Sequence, residues 1–300
     1  MRLVRDDPQD TQKNRLYWRA ILVTILGNVF LVTIKGFVAY TSGSVALYAD
    51  AANSASDVVY SLMLMLGLWL AIRPPDLSHP QGHSRFEPLV GLLVAGAMAY
   101  AGYSAASASF DRFQIGGLAV EPGLPSVVLI ISAIIKAGMF FYISRIAKQV
   151  SSPGLEVTAL DNFSDVLTSF AAFVGIIGSK YWNPLADPIA GLLVAAWIFK
   201  AVIEAVLANL GYLTGKAADE NLRQKFVAAA EAVPGVICVH RIVTEYAGPQ
   251  LVVDMHINVD GQLTLNESHK INDAVIDTLE AMPEVDRAYV HLEPHDWEDE

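Results

Sequence analysis

The stretch LEVTALDNFSDVLTSFAAFVG, residues 155–175, is apolar over most of its length yet carries two carboxylates four residues apart, Asp161 and Asp165. Residues at that spacing lie on one face of a helix. A second apolar segment, 45–72, repeats the pattern with Asn53 and Asp57. The two pairs offer four oxygen-bearing side chains to one point inside a membrane, where ionisable groups are expensive and functional by default. The pattern points to a divalent-cation pathway through an α-helical membrane protein.

The rest of the chain fits that frame. Of its 300 residues, 53% are hydrophobic and 17% charged, a balance that leans away from a soluble enzyme. Six apolar stretches, 16–40, 45–72, 89–110, 124–146, 155–178 and 185–210, reach the about 20 residues needed to cross a bilayer. Arg2, Arg5, Lys13, Arg15 and Arg19 lie at or before the first span, Arg73 and Arg85 flank the second loop, and Arg145 and Lys148 flank the fourth. The intervening loops are short or carry acids such as Asp111 and Glu121, so the positive-inside rule predicts that both termini are cytoplasmic. The polar lead MRLVRDDPQDTQKNRLYWR has no cleavage-type small-residue motif and does not read as a signal peptide.

Charge is unevenly placed. Residues 211–300 hold 6 Lys+Arg against 17 Asp+Glu and carry the whole net charge of −11, whereas residues 1–210 hold 14 of each. An acidic tail argues against nucleic acid as a partner and suits a domain that meets cations. A single cysteine, Cys238, excludes an intramolecular disulfide. The expected organisation is a cytoplasmic lead at 1–15, a six-helix transmembrane domain at 16–210 and a cytoplasmic metal-binding regulatory domain at 211–300.

The tail reads as a compact α/β unit of about 85 residues. A helix is expected over 217–232, then strands over 236–246 and 251–259 around an Ala-Gly-Pro hairpin signal. Thr264 and Glu267 have capping-box spacing, so a second helix starts there and ends near Met282, before Pro283. A last strand over 287–293 completes a metallochaperone-like α-β-β-α-β order.

All seven histidines lie outside the spans. In the loop PPDLSHPQGHSRFEP, Asp76, His79 and His83 make a workable ligand set of one carboxylate and two imidazoles; a polar loop with two surface histidines is the plainer alternative. In the tail, His291 and Glu293 are two apart on a strand and share a face. His240 and His256 occupy the two hairpin strands, within cross-strand reach. These four converge as ligands, or they are separately solvated. Cys238 shares a face with His240 and reads as a small hydrophobe. In the spans, Lys35 and Lys136 either pair with carboxylates or meet the cargo, and Asp50 lies nearer the outer end. Asn53 with Asp57 is also compatible with a helix–helix hydrogen-bonding pair.

The segments SGSVALYADAANSASDVVYSL, DLSHPQGHSRFEPL, LEVTALDNFSDVLTSFAAFVG and VDGQLTLNESH, taken in order, resemble the cation diffusion facilitator family of divalent-metal transporters, and the resemblance spans nearly the whole chain. It implies a transport site at Asn53, Asp57, Asp161 and Asp165, a loop site at Asp76, His79 and His83, and a binuclear cytoplasmic site drawn from His240, His256, His269, His291, Glu293 and His295. It further implies a homodimer in the lipid bilayer that exchanges metal for protons by alternating access.

The departures from the family pattern carry the selectivity argument. Zinc-type members hold a histidine at the first position of one or both membrane pairs, where this chain has Asn53 and Asp161. Hard oxygen donors suit Mn²⁺ better than Zn²⁺, and the set resembles the manganese-exporting branch. Zinc, iron(II) and cobalt remain alternatives, as substrate or regulator. Three clustered carboxylates disfavour one another's charged form, so protons are expected in the empty site and Asp57, Asp161 and Asp165 act as both ligands and proton carriers. A histidine-bearing acidic domain on the cytoplasmic side suits efflux, with metal drawing two tails together, in what is expected to be the plasma membrane. Arg85, beside the loop site, reads either as an ion-pair partner at a junction or as a boundary charge. Two other classes are a membrane metallohydrolase, against which stands the lack of HExxH, and a non-transporting metal receptor.

Overall fold

The computed structural model describes the backbone of residues 11–42, 45–117 and 124–295; within those ranges a few side chains, including 45–53, lie outside the description. The described chain forms α1 (Thr11–Ser42), α2 (Val45–Ala71), α3 (Phe86–Gln114), α4 (Leu124–Val150), α5 (Pro153–Tyr181), α6 (Ala186–Leu213), α7 (Glu220–Glu231), β1 (Cys238–Tyr246), β2 (Leu251–Val259), α8 (Leu265–Glu280) and β3 (Val285–Pro294). It divides into two compact units, residues 1–209 and 210–300.

The first unit is a bundle of six long helices, because segments in lipid must satisfy every backbone polar group internally. Five helices are long and apolar enough to span a bilayer among the described residues, and α2 adds a shorter apolar run, Asp57–Ala71. The helices overrun the apolar stretches at several ends. At α5, Ser152 is the N-cap: its Oγ accepts the Leu155 N–H at 3.1 Å, and Pro153 takes the first helical position, where a missing N–H costs nothing.

Packing is inside-out relative to a water-soluble bundle. Leu26, Phe37, Phe141 and Leu193 face outward, while Thr24, Asn28, Lys35, Ser61, Lys136, Asn162 and Ser164 are buried. That distribution is what a lipid surround selects, since apolar side chains lose nothing in hydrocarbon and polar ones seek partners within the bundle. One apolar cluster joins α1, α2, α4 and α5 through Tyr17, Leu64, Leu68, Ile143 and Leu155. Another joins α3, α5 and α6 through Met98, Val157 and Ile198.

The second unit is a three-stranded sheet in the order β1-β2-β3, with β1 and β2 antiparallel and β2 and β3 parallel. Strand β2 alternates from Leu251 to Ile257: Leu251, Val253, Met255 and Ile257 are fully buried in a core that includes Phe226 of α7 and Val275 and Leu279 of α8. Both helices therefore cover one sheet face, and Val252, Asp254, His256 and Asn258 point to the other. Helix α7 begins at Glu220 rather than at 217, because the Asp219 carboxylate caps it by accepting the Leu222 N–H at 2.8 Å. The Thr264–Glu267 capping box forms as expected. At the hairpin, the Ala247 N–H donates to Gln250 O and Gly248 adopts φ 87°, a conformation that favours glycine.

Candidate metal sites

The membrane site is assembled by three helices. Lys136 of α4 is 4% exposed, and its Nζ lies 3.0 Å from Asp57 Oδ2 on α2 and 2.6 Å from Asp165 Oδ2 on α5. The first contact is a hydrogen bond. The second is an ion pair by distance only, since Asp165 Oδ2 is buried without a donor in hydrogen-bond geometry. Asp161, one turn before Asp165, acts on the same ammonium electrostatically. Lys35 of α1, also buried, adds a second positive charge that acts on Asp57. The side chain of Asn53 lies outside the described residues; its backbone is part of α2, one turn before Asp57.

A charge at the centre of a bilayer costs roughly 2.5–3.5 kcal/mol on insertion scales, so gathering carboxylates and ammoniums at one point offsets part of each penalty. The surroundings stay polar. Asn28 Nδ2 donates to Ser61 Oγ at 2.8 Å, and Ser61 Oγ donates to the Asp57 carbonyl at 2.6 Å, tying α1 to α2 beside the site. Asn28 Oδ1 and Asn162 Oδ1 are buried without a partner. Chemically the arrangement is a cluster of hard oxygen donors on two helices, reached by the Lys136 ammonium.

In the loop between α2 and α3, Asp76, His79 and His83 present ligand atoms within 4.8 Å of one another. The Asp76 Oδ1 accepts the backbone N–H groups of Ser78 and His79 at 2.9 and 2.7 Å, an Asx-type turn that fixes the carboxylate. Those bonds, that of His79 foremost, hold the Asp76 carboxyl below the usual carboxylate range. His83 is buried, with Nε2 at 3.4 Å from Asp76 Oδ2, whereas His79 is exposed. A buried imidazole facing a fixed, ionised carboxylate is a donor set that fits a divalent ion.

In the tail, His240, His256 and Glu293 likewise bring ligand atoms within 4.8 Å. Glu293 Oε1 is 2.9 Å from His256 Nδ1, and Oε2 is 3.1 Å from His240 Nε2. The His256 hydrogen bond is the main cause of the Glu293 carboxyl lying below its ordinary value. A β-bulge between Val239 and Arg241 places Arg241 rather than His240 opposite His256. Bulges re-aim a side chain, and here the His240 ring comes to 5.6 Å from that of His256. His291 pairs in register with His256 but is exposed, at 3.7 Å from Glu293 Oε1. His269 is exposed on α8 and faces Asp273 at 3.5 Å; it lines a groove of about 740 Å³ with His291 and Glu293. His295 is exposed, and its backbone N–H pairs with Val259 O. Within one chain, the geometry therefore gathers three of the six tail residues and leaves His269, His291 and His295 at its margin.

Two family models cover this architecture. The cation efflux transmembrane domain matches residues 21–214, and the cation efflux protein cytoplasmic domain matches residues 218–295.

The chain belongs to the cation efflux, or cation diffusion facilitator, family.

It is thus an integral membrane metal-efflux transporter and not an enzyme. It is 34% identical over 92% of its length to an uncharacterised transporter of Methanocaldococcus jannaschii, covering 97% of that protein. It is 27% identical to the manganese efflux system protein MneS of Bacillus subtilis, over 91% of this chain and 94% of that one. It is 32% identical to the magnetosome protein MamM of Magnetospirillum gryphiswaldense, over 82% and 78%. A solved cadmium form of a MamM C-terminal domain is 29% identical over 26% of this cation efflux chain and 98% of that chain, with a TM-score of 0.25.

Sequence reading left the role of Lys136 open between pairing and cargo contact, and did not single out Asn28, Ser61 or Asn258. For Lys136 the signal was present: it is the one charged residue in the first 21 positions of α4. Asn258 sits opposite Glu293 in the sheet, and its Oδ1 is 2.9 Å from His240 Nδ1. That role depends on strand register, which no motif announces.

Proposed function

We propose that this cation efflux protein exports Mn²⁺ from the cytoplasm in exchange for protons, by alternating access around Asn53, Asp57, Asp161 and Asp165. The observation that carries the reading is that carboxylates of α2 and α5 reach one ammonium at the centre of the bundle, so a single ion can engage both helices. Oxygen donors without imidazole favour Mn²⁺ over Zn²⁺. The similarity to two Bacillus subtilis manganese efflux proteins supports the same choice. Protons serve as counter-substrate because three clustered carboxylates do not all stay ionised when the ion departs.

The tail serves as a metal-responsive regulatory domain of a homodimer, a reading supported by its match to the family model named ZT_dimer. Its ligands are His240, His256 and Glu293, with His291, His269 and His295 completing a second position in the assembled dimer. Asp76, His79 and His83 form the loop site. The domains run 1–15, 16–210 and 211–300, both termini lie in the cytoplasm, and the protein resides in the plasma membrane.

Zinc, iron(II) or cobalt export is the second reading, since carboxylates also bind these ions and site geometry can override ligand type. Uptake of Mn²⁺, Zn²⁺, Fe²⁺ and Co²⁺ into proteoliposomes under an imposed pH gradient separates the two. Mn²⁺ flux that shifts toward Zn²⁺ in Asp161→His is expected; Zn²⁺ flux in both proteins sinks the manganese assignment.

A further inference from the structure

The membrane site holds a cation of its own. The Lys136 ammonium touches Asp57 Oδ2 and Asp165 Oδ2, and its side chain is 4% exposed. A divalent ion bound to those oxygens would sit about 2.0–2.2 Å from them. The ammonium, at 2.6 and 3.0 Å, already lies against the oxygens that the ion requires. Both cannot be held there at once, because two positive groups would share two oxygens in a poorly hydrated site. We infer that Lys136 is a resident counter-cation: it neutralises Asp57 and Asp165 in the metal-free carrier and must leave before metal binds, so it sets apparent metal affinity and the ease of empty-carrier return. The inference rests on the proposed transport site.

The charge inventory points the same way. Asp57, Asp161 and Asp165 carry up to three negative charges with no metal, against the Lys136 ammonium in contact and the Lys35 ammonium acting on Asp57. An empty carrier that reorients with most of that charge balanced avoids burying naked carboxylates. Lysine suits the part, since its compact charge rides on a flexible four-carbon stem that can retract without moving α4. The exchange has a consequence for binding. A site whose competent form is only fractionally populated binds with an apparent affinity reduced by that fraction, and removing the competitor restores it.

The test compares native protein, Lys136→Met and Lys136→Arg, with Asp165→Ala as a control on the site itself. In Lys136→Met the apparent KM for Mn²⁺ should fall by about tenfold or more while the maximal rate also falls, since the empty carrier returns poorly. Lys136→Arg, which keeps the charge, should restore the rate and bring KM back toward native. A lysine with a purely structural role lowers the rate without tightening KM, and that result overturns the inference. Should Lys136→Met transport nothing, direct Mn²⁺ titration of purified protein decides, in a background with His83→Ala and His256→Ala to silence the other sites. Tighter binding than native sustains the inference, and equal or weaker binding ends it. If Asp165→Ala keeps native flux and binding, the transport-site reading fails first; if it loses both and Lys136→Met binds no tighter, only the inference fails.

Discussion

Glu293 shows how one side chain links chemistry to pH. It meets His256 and His240 through its two oxygens, and those contacts hold its carboxyl below the ordinary value of about 4.3. A lowered native value means that its contribution to stability is complete above the unfolded value and is lost as pH falls through the native one. Glu293→Gln should therefore flatten the acid limb of the tail's stability, measured as denaturant midpoint against pH below about 5. The same change removes a proposed ligand, so divalent-metal affinity of the tail should drop roughly tenfold or more by titration calorimetry. Unchanged affinity would remove Glu293 from the site. The residue was legible in sequence because His291 and Glu293 share a strand face. Its partner His240 was legible only as a neighbour, since the bulge that re-aims it comes from strand pairing, not from any local motif.

Elements were the easiest scale to read and the pairings between them the hardest. The four-residue spacing in α5 and the Thr264–Glu267 box are local rules, and the helices they imply are present. The box satisfies two otherwise orphaned donors at the start of α8, with Thr264 Oγ1 accepting the Glu267 N–H and the Glu267 carboxylate accepting the Thr264 N–H. Thr264→Ala should cost about 1 kcal/mol of tail stability by chemical denaturation, with no change in transported metal. A loss of selectivity instead would mean that α8 speaks to the membrane site. Which helices meet is a tertiary fact. Nothing in the α4 sequence says that its lysine reaches across to α2 and α5, because ridge-and-groove packing rather than periodicity chooses the neighbour.

The whole molecule joins a bundle of six long helices to an acidic domain that carries five of the seven histidines. If the tail senses cytoplasmic metal and biases the bundle, removing residues 215–300 should weaken activation by metal while leaving the ranking of transported ions unchanged. Initial rates at rising cytoplasmic-side Mn²⁺ measure both; an altered ranking would show that the tail selects the cargo. The family's two-domain architecture was legible because charge and hydropathy divide so sharply near residue 210. Mn²⁺ uptake and lumenal pH should be followed together in proteoliposomes for native protein and for Asp57→Asn, a near-isosteric change that removes one charge. Native protein should move protons against Mn²⁺ at a fixed ratio, and Asp57→Asn should lose at least about tenfold in Mn²⁺ flux while remaining folded. Native Mn²⁺ flux with no proton movement, or full coupled flux in Asp57→Asn, would contradict it.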